Sequence, residues 1–442
     1  MTAPPPANRR PDGPGAPPGR DPEGTASADT ADPDDNAAPD NPDDSANSDT
    51  DGESALAGPG ADDRPIRVTT LELFFDLIFA FTLTQLAVVL APGMTDVGAL
   101  AVRVPRVLLI FGLLWWMYGG YAWLTNTRSP VRSPERLLLV LGMTGFLIVG
   151  LAIPDGFGPD GVALGLGYLL VVLVHAVLYA RVNRHIWRIA PFNVTSALLV
   201  TAAGFAGGDP RYALWVVALL IQVGAPLVVR LSGRFDIRPA HFAERHGALI
   251  IVAIGESVAA IGIGASGLAV NARLVVAAVV GLALSVALWW MYFGTGDDEQ
   301  GERAMRGAGV DRRPGLALSA YFYAHMPMLL GIVFAAAGVA GTVDAAGHGR
   351  SGGLPAALAL GAGPAAFIGG TAAFRAALHT GPTRPRLAAA AFALATIPLG
   401  TLVAIEPQLA LITAGLVVLL VLEGRLTRTG PDPVSQKSAH TH

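Results

Sequence analysis

The chain has 442 residues, of which 52% are hydrophobic and only 14% are charged. Soluble domains carry about 25% charged residues, so this composition excludes an ordinary soluble protein and indicates a membrane protein. Cysteine is absent, which excludes disulfides, thiolate catalysis and cysteine-ligated metal sites. The net charge of −4 combines an acidic region, residues 1–65, with a body, residues 66–442, that carries a surplus of positive charge.

Residues 1–65 contain 15 Asp and Glu against 4 Arg, with 13 prolines and no aromatic residue. Such a segment buries too little apolar surface to offset the loss of chain entropy on folding. It also lacks the apolar core of a signal peptide. We therefore predict a disordered, acidic, proline-rich tail over residues 1–65, and a second, short disordered tail over residues 427–442.

From residue 66 onward, apolar runs alternate with short polar loops. Each run has the length needed to cross a hydrocarbon core of about 30 Å. The pattern predicts an all-α polytopic membrane protein with about twelve transmembrane helices, at residues 68–91, 104–124, 135–153, 162–181, 191–207, 211–231, 246–265, 272–294, 315–340, 354–377, 386–405 and 408–425. The longest connection, residues 295–314, mixes acids with arginines and is predicted to be a solvated linker.

Basic residues are distributed unevenly among the loops. The segments that follow even-numbered helices carry 19 arginines, and those that follow odd-numbered helices carry 5. Because arginine-rich loops stay in the cytoplasm, both termini are predicted to be cytoplasmic, which requires an even number of helices.

Two features recur at nearly the same spacing. The sequence Trp115-Trp116-Met117-Tyr118 returns 174 positions later as Trp289-Trp290-Met291-Tyr292, and Glu72 is followed 172 positions later by Glu244. We interpret this as two parallel six-helix repeats, over residues 66–232 and 233–426. Six crossings bring the chain back to the same side, so the repeats are related by an axis along the membrane normal, with sites expected at their interface.

Two carboxylates stand at the start of the first predicted helix. Glu72 and Asp76 lie four residues apart and therefore share a helix face. If both face one cavity, one could hold a proton for the other, because close carboxylates resist double ionisation. The alternative is that both are N-terminal acids favoured by the helix dipole. That explanation suits Glu72 better than the deeper Asp76.

Glu256 lies about ten residues inside the seventh predicted helix, near the middle of the membrane. A carboxylate there costs about 2.5–3.5 kcal/mol or more unless it is protonated, paired or hydrated. Arg245 is eleven residues earlier and about 16 Å away, too far to pair with it. Glu256 is therefore predicted to be a protonatable or cation-binding group, and the alternative is a structural polar contact through Glu256 or Ser257.

Two histidines occupy apolar helices. His325 lies about ten residues inside the ninth predicted helix, and Pro327 removes a backbone donor there, which exposes carbonyls around the imidazole. His175 shares a stripe with Tyr168 and Tyr179 on the fourth helix. An imidazole in a membrane suits a proton relay, whereas a lone buried histidine also occurs as a packing residue.

The aromatic motifs admit three interpretations. Trp289 and Trp290 fit an interfacial aromatic belt near the inner edge. Trp115 and Trp116 are predicted to lie nearer the middle, where they would pack against the other repeat, and a ligand-binding aromatic box is a third possibility. Tyr118 and Tyr292 belong to the same two motifs.

No phosphate loop, His-x-x-x-His pair or Gly-x-Ser-x-Gly elbow occurs in the membrane body. We therefore expect no catalytic site, cofactor or metal, and no nucleic-acid partner. The expected partners are the lipid bilayer, protons or monovalent cations, and a small solute.

Several motifs in this order resemble the bacterial low temperature requirement A (LtrA) family, over residues 68–425. The resemblance rests on Glu72-Leu73-Phe74-Phe75-Asp76-Leu77, Trp115-Trp116-Met117-Tyr118, His241-Phe242-Ala243-Glu244-Arg245-His246-Gly247, Gly255-Glu256-Ser257 and His325-Met326-Pro327. It implies a bacterial inner-membrane protein. The family name describes a growth phenotype and not a molecular activity.

We expect a proton- or cation-coupled transporter with one site between helices one and seven, lined by Asp76, Glu256 and His325. One alternative is a cation channel whose pore is lined by the same two helices. Residues 75–84 are loosely similar to the first-helix motif of a potassium-channel family, which favours the channel alternative. Phe75, however, stands where that family has serine. The other alternative is a sensory or scaffold protein that transports nothing.

Overall fold

The computed structural model describes residues 68–91, 94, 96–128, 130, 132–182, 186–229 and 237–428, with the side chains of residues 226–229 and 426–428 left out. The predicted tail over residues 1–65 and residues 429–442 of the C-terminal tail lie outside these ranges. Residues 427 and 428, which we assigned to that tail, belong to the last helix.

The described residues form α-helices, joined by turns and two π-helical segments, and contain no strand. The predicted all-α class is therefore confirmed. The helices are α1 (Thr70–Leu90), α2 (Val97–Thr127), α3 (Ser133–Ala152), α4 (Gly161–Ala180), α5 (Ile186–Phe205), α6 (Gly208–Val229), α7 (Pro239–Gly264), α8 (Ala272–Trp289), α9 (Asp297–Gly307), α10 (Arg313–Leu316), α11 (His325–Gly347), α12 (Leu354–Leu378), α13 (Arg384–Ala395), α14 (Ile397–Leu402) and α15 (Ile405–Arg428).

Eleven helical stretches within the described ranges are long and apolar enough to cross a membrane. They coincide with eleven of the twelve predicted spans. The predicted span 211–231 corresponds to α6, a helix of 22 residues that is not among the eleven. The protein is thus a multi-helix membrane protein, while the total of twelve crossings and the division into two repeats remain predictions.

Local signals in the sequence set the helix starts. Thr69 caps α1, since its hydroxyl accepts from the Glu72 amide while the Glu72 side chain accepts from the Thr69 amide. Asp96 caps α2, and Asn271 caps α8 by accepting from the Leu274 amide. These bonds satisfy backbone donors that would otherwise lack partners at the first turn of each helix.

Helices α1, α7 and α11 pack against one another. They run in the same direction, because His241 meets Glu72 and His246 meets His325 near the helix starts, while Thr84 meets Glu256 farther along. Helix α11 also packs closely on α12, where glycines allow the two backbones to approach. A Cβ atom on Gly331 would lie 2.5 Å from the Phe367 amide nitrogen, and one on Gly363 would lie 2.4 Å from that of Ala335. Small residues at such crossings are typical of membrane helices, which associate by close packing.

The predicted linker at residues 295–314 is largely helical, and most of its residues are exposed or partly exposed. A π-helical segment, Trp290–Gly294, continues α8, and Gly296 adopts a left-handed conformation with φ of 71° before α9 begins. A second π-helical segment, Ala317–Tyr323, joins α10 to α11. Asp297 is buried because arginines from later helices reach it, as described below.

Candidate functional site

Four buried ionisable side chains meet where α1 crosses α7. Glu72 and Asp76 belong to α1, His241 and Arg245 belong to α7, and each is at most 1% exposed. Nε and Nη2 of Arg245 donate to Oδ1 of Asp76 at 3.1 and 3.0 Å. Oε1 of Glu72 lies 3.2 Å from His241 Nε2 and 3.7 Å from Arg245 Nη1. We call Glu72, Asp76, His241 and Arg245 the charged cluster.

Neighbouring polar groups fix the cluster in place. The Thr69 amide and hydroxyl donate to Oε2 of Glu72 at 2.9 and 2.7 Å. Asn126 of α2 exchanges two 3.0 Å hydrogen bonds with the backbone of Arg238, just before α7 begins. The Thr125 hydroxyl accepts a hydrogen bond from Arg245. The ends of α1, α2 and α7 are therefore tied together around the buried charges.

The charges of this cluster do not balance. Two carboxylates face one guanidinium, so the cluster is neutral only if it holds one proton, on His241 or on a carboxylate. Oδ2 of Asp76 and the hydroxyl of Tyr118 are both buried, and neither makes a hydrogen bond with any residue that the structure describes. The rings of Phe75 and Tyr118 cover Arg245, whose guanidinium carbon lies 5.4 and 5.6 Å from their centroids.

A second group of buried side chains surrounds His325. Its Nδ1 lies 2.9 Å from the Ala320 carbonyl and therefore donates to it, which leaves Nε2 to accept from the Tyr292 hydroxyl at 3.2 Å. His246 follows Arg245 on α7, and its ring centroid lies 5.3 Å from that of His325. The ring of His325 thus contacts His246, the residue next to Arg245 in the chain.

The π-helical segment before α11 supplies the carbonyls that these side chains use. Pro327 has no amide proton, so it cannot donate back into that segment. The Phe322 carbonyl instead accepts from the indole nitrogen of Trp115 on α2, at 3.1 Å. Gly119 makes room for this contact, because a Cβ atom there would lie 2.6 Å from the Phe322 ring.

Glu256 lies apart from these groups, in a cleft between α1 and α7 whose floor is α11. The Thr84 hydroxyl donates to Oε2 of Glu256 at 2.5 Å. Fourteen described residues line this narrow cleft, which has a volume of about 20 Å³, and all except Thr84 and Glu256 are apolar. We call this space the α1–α7 cleft. Glu256 makes no ion pair with any described residue.

The α1–α7 cleft continues into a larger cavity at the end of the bundle where α1, α7 and α11 terminate. This vestibule has a volume of about 420 Å³, and Ala91, Ile263 and Ala340 line both cavities. Its walls include Asp344 and Arg350, which form an ion pair with each other. The vestibule therefore adjoins the α1–α7 cleft.

An apolar layer separates Glu256 from the charged cluster. It consists of Phe79 on α1, Leu249 and Ile250 on α7, and Met328 and Leu329 on α11, all fully buried. On α1, Thr84 follows Asp76 by eight residues, a rise of about 12 Å. The α1–α7 cleft is thus closed on the side that faces the charged cluster.

The comparison with known families agrees with this architecture. The family model described as bacterial low temperature requirement A protein (LtrA) matches residues 67–422, nearly the whole described body. The chain belongs to the LtrA family. It is also 27% identical, over 283 residues, to an uncharacterized protein, RA0937, of Rhizobium meliloti (strain 1021); the match covers 60% of this chain and 67% of that protein.

The structure of this LtrA-family protein does not gather Asp76, Glu256 and His325 into one site. Asp76 belongs to the charged cluster and His325 adjoins it, whereas Glu256 lies beyond the apolar layer. As the sequence indicated, Arg245 is no partner of Glu256, and it pairs with Asp76 instead. Glu72 combines the capping role with a place in the charged cluster.

The remaining predicted residues occupy structural positions in the LtrA body. Glu244 accepts from the Val68 amide at 3.2 Å and so holds the start of α1. The rings of His175 and Tyr121 are 5.2 Å apart. Ser257 is buried beside Glu256.

The two tryptophan pairs lie in different surroundings. Trp289 and Trp290 are exposed, as an aromatic belt requires, whereas the rings of Trp115 and Trp116 pack against Phe322 from the second half of the chain.

A second charged cluster of this LtrA-family protein was missed by sequence reasoning. Asp297 accepts from Arg375 at 2.8 Å and from Arg386 at 2.6 Å, and both arginines also lie within 3.4 Å of Glu423. Among the described residues, this cluster joins α9, α12, α13 and α15 and brings two arginines to two carboxylates. The only sequence signal was a pair of arginines at helix ends that were otherwise apolar.

Proposed function

We propose that this LtrA-family protein is a proton-coupled transporter of the bacterial inner membrane, with both termini in the cytoplasm and the vestibule on the outer side. The observation that carries the proposal is the charge imbalance of the buried charged cluster. A carboxylate inside the membrane costs about 2.5–3.5 kcal/mol or more when unbalanced, so the cluster favours binding one proton. A buried group that exchanges a proton with its surroundings suits the coupling of proton movement to solute transport.

A proton suits this position better than a metal cation. Arg245 already contacts both carboxylates, so a second cation would be repelled at close range. A proton instead bonds covalently to His241 Nε2 or to Oδ2 of Asp76. Thr125 accepts a hydrogen bond from Arg245, and the ring of Tyr118 lies against the guanidinium of Arg245.

Coupling between the proton site and the solute path follows from α1 and α7, because these two helices carry both the charged cluster and the α1–α7 cleft. Helices α1 and α7 supply the carboxylates and the arginine of the charged cluster, and the same helices form the walls of the α1–α7 cleft. A movement of one helix against the other therefore changes the cluster and the cleft together. If α1 and α7 begin two parallel repeats, this is the interface at which alternating access takes place.

The closed apolar layer supports a transporter more than a channel. A conducting channel requires a continuous hydrated path, and a scaffold requires no cleft with a carboxylate. Here the path ends at Glu256, and five buried apolar side chains separate it from the charged cluster. A cavity that is open at one end and closed at the other corresponds to one state of an alternating-access cycle.

Solute-dependent proton movement in proteoliposomes tests the proposal. Purified protein would be reconstituted with a pH-sensitive dye inside the vesicles, and mixtures of amino acids, sugars, organic cations and inorganic salts would be added outside. We expect one class of solute to change the internal pH, Asp76→Asn to abolish that change, and Glu299→Gln to preserve it. Glu299 is a matched control because it is an exposed acid on α9.

Two results would contradict the proposal. One is solute flux that continues unchanged, with the same proton movement, in both Asp76→Asn and His241→Gln. The other is the appearance of single-channel current steps in a planar bilayer at rates far above transporter turnover, which would favour the cation channel.

A further inference from the structure

We infer that the exchangeable proton of the charged cluster resides on Oδ2 of Asp76, and that Asn126 keeps it there by holding His241 neutral. The inference deepens the transport proposal, because it rests on the charge imbalance of the same cluster and names the group that carries the proton. Three groups compete for that proton: the His241 imidazole, the Glu72 carboxylate and the Asp76 carboxylate. The hydrogen bonds of each group decide among them.

Asn126 sets the protonation state of His241. The Arg238 amide donates to Oδ1 of Asn126, and Nδ2 of Asn126 donates to the Arg238 carbonyl, both at 3.0 Å. These two bonds determine which end of the side-chain amide carries the N–H groups. The same Nδ2 lies 3.4 Å from Nδ1 of His241, so a donor faces this ring nitrogen. Nδ1 therefore accepts, and the neutral imidazole carries its proton on Nε2.

The groups around Glu72 hold it as the ionised carboxylate. Its Oε2 accepts from the Thr69 amide and hydroxyl at 2.9 and 2.7 Å. Nε2 of His241, which bears the proton, lies 3.2 Å from Oε1 and 3.4 Å from Oε2. Nη1 of Arg245 lies 3.7 Å from Oε1. Donors thus face both oxygens, and donors of this kind stabilise the charged form of a carboxyl group.

The Asp76 carboxyl has the hydrogen bonds of a neutral acid. Nε and Nη2 of Arg245 both donate to Oδ1, at 3.1 and 3.0 Å. An ionised carboxylate often pairs with a guanidinium through both of its oxygens. Here Oδ2 is buried and makes no hydrogen bond with any described residue. Oδ1 therefore acts as the carbonyl oxygen of the acid, and Oδ2 carries the proton.

The side chains around Asp76 offer an acceptor for this proton. Tyr118 on α2 adjoins Asp76, and its buried hydroxyl makes no hydrogen bond with a described residue, so it is available to accept one from Oδ2. The other ionisable neighbours are members of the charged cluster. Helix α3 brings an apolar ring, Phe146, to this part of α1. The titratable side chains of α11 lie elsewhere, since His325 contacts α7 and Asp344 lines the vestibule.

Release of the proton would change the contact between α1 and α7. Once Oδ2 is ionised it becomes a second acceptor, and the Arg245 guanidinium can bind both oxygens of Asp76 instead of one. Asp76 belongs to α1 and Arg245 to α7, and these two helices also form the walls of the α1–α7 cleft. The proton on Oδ2 therefore lies where its gain or loss alters the packing of the two helices.

Infrared spectroscopy of the full chain in proteoliposomes identifies the protonated residue. A protonated carboxyl group has a C=O stretching band that an ionised carboxylate lacks. At neutral pH we expect such a band, which shifts to lower frequency when the aspartate side-chain carboxyls carry ¹³C and not when those of glutamate do. Asp76→Asn should abolish this band. Asp344→Asn, which changes a partly exposed acid beside the vestibule, should leave it unchanged.

The isotope result stands even if Asp76→Asn fails to fold. Among the described aspartates only Asp76 and Asp297 are buried, and Asp297 is ionised because it pairs with Arg375 and Arg386. Two results would overturn the assignment. One is the absence at neutral pH of any carboxyl band that responds to the aspartate label, and the other is a band of this kind that persists unchanged in Asp76→Asn.

Solid-state NMR of protein with ¹⁵N-labelled histidine tests the role of Asn126. We expect His241, assigned by its absence in His241→Gln, to show one protonated and one unprotonated ring nitrogen. Asn126→Asp places an acceptor beside Nδ1, so both ring nitrogens should then be protonated, whereas an asparagine with a merely structural role would leave His241 neutral. Asn271→Asp, at the exposed start of α8, is the control and should leave His241 neutral. A neutral His241 in Asn126→Asp would overturn the role of Asn126.

The two spectra separate this inference from the transport proposal. Both are recorded without a gradient, so a proton on Asp76 without solute-dependent proton movement in vesicles would refute transport and retain the assignment. An imidazolium at His241 in the wild type, together with coupled flux, would refute the assignment and retain transport.

Discussion

Thr84 and Glu256 form a hydrogen bond of 2.5 Å across the interface of α1 and α7, and they are 172 positions apart in the chain. The same offset separates Glu72 from Glu244. If the chain contains two parallel repeats, Thr84 and Glu256 are therefore equivalent positions that contact each other. Equivalent residues meet only at the axis that relates the repeats, so this contact would lie on that axis, where transporter sites are expected.

Replacement of Arg245 should destabilise the protein more than replacement of Asp76. Arg245→Met leaves Glu72 and Asp76 buried without the guanidinium, which costs about 3–5 kcal/mol. Asp76→Asn leaves Arg245 beside Glu72 and bonded to Thr125, so a smaller loss is expected. Denaturant-induced unfolding in detergent micelles measures both free energies.

The matched control for Arg245 is Arg303, which pairs with Glu299 on the exposed face of α9 and is 68% exposed. Arg303→Met should change the free energy of unfolding by about 1 kcal/mol or less, because exposed ion pairs contribute little. Equal losses for Arg245→Met and Asp76→Asn would mean that the second carboxylate does not share the arginine.

The second charged cluster should hold the C-terminal helices together. Arg386 donates to Asp297 and to the Met291 carbonyl, so Arg386→Met leaves a buried carboxylate without one of its two arginines. We expect faster hydrogen–deuterium exchange in peptides from α13 and α15, with exchange in α3 and α4 unchanged. Uniform acceleration across all helices would instead indicate global destabilisation, and no change would show that the cluster is dispensable. Arg306→Met, on exposed α9, is the control.

The apolar runs of the sequence predicted most of the helices, because apolar length is a local signal. The span predicted at residues 68–91, for example, corresponds to α1. The sequence did not predict the pairing of Asp76 with Arg245, since partners 169 positions apart meet only after the helices cross. The rise of about 16 Å along α7 was enough to predict that Arg245 and Glu256 do not pair. It could not predict which residues each of them contacts.

Burial of Asp297 could not be predicted for a related reason. Its local sequence, Asp297-Asp298-Glu299, is typical of a solvated segment. The charges that allow it to be buried, Arg375 and Arg386, lie 78 and 89 positions away. The π-helical segments also leave little trace in sequence, because one added residue in a turn does not alter an apolar run; Pro327 was the only local signal.

Trp115 should contribute to stability through one hydrogen bond. Trp115→Phe keeps an aromatic ring but removes the indole N–H that donates to the buried Phe322 carbonyl. The expected loss is about 1–3 kcal/mol in the free energy of unfolding. Trp289→Phe, the equivalent change in the second motif, should cost about 0.5 kcal/mol or less, because Trp289 is 38% exposed. An equally large loss for Trp289→Phe would show that the smaller size of the phenyl ring, and not the lost hydrogen-bond donor, lowers the free energy of unfolding.

Cysteine labelling tests the predicted orientation in the membrane. Because the chain has no native cysteine, only the introduced cysteine can react. His348 ends α11 beside the vestibule, and Arg303 lies on α9 at the opposite end of the bundle; their side chains are 49% and 68% exposed. In intact cells, a membrane-impermeant maleimide should label His348→Cys and not Arg303→Cys. Both should react after the membrane is permeabilised, which controls for exposure of each thiol. Labelling of Arg303→Cys alone in intact cells would show that the orientation is the reverse of the predicted one, with the vestibule facing the cytoplasm. Because the arginine distribution of 19 against 5 predicts cytoplasmic termini, that result would also contradict the charge bias on which the orientation rests.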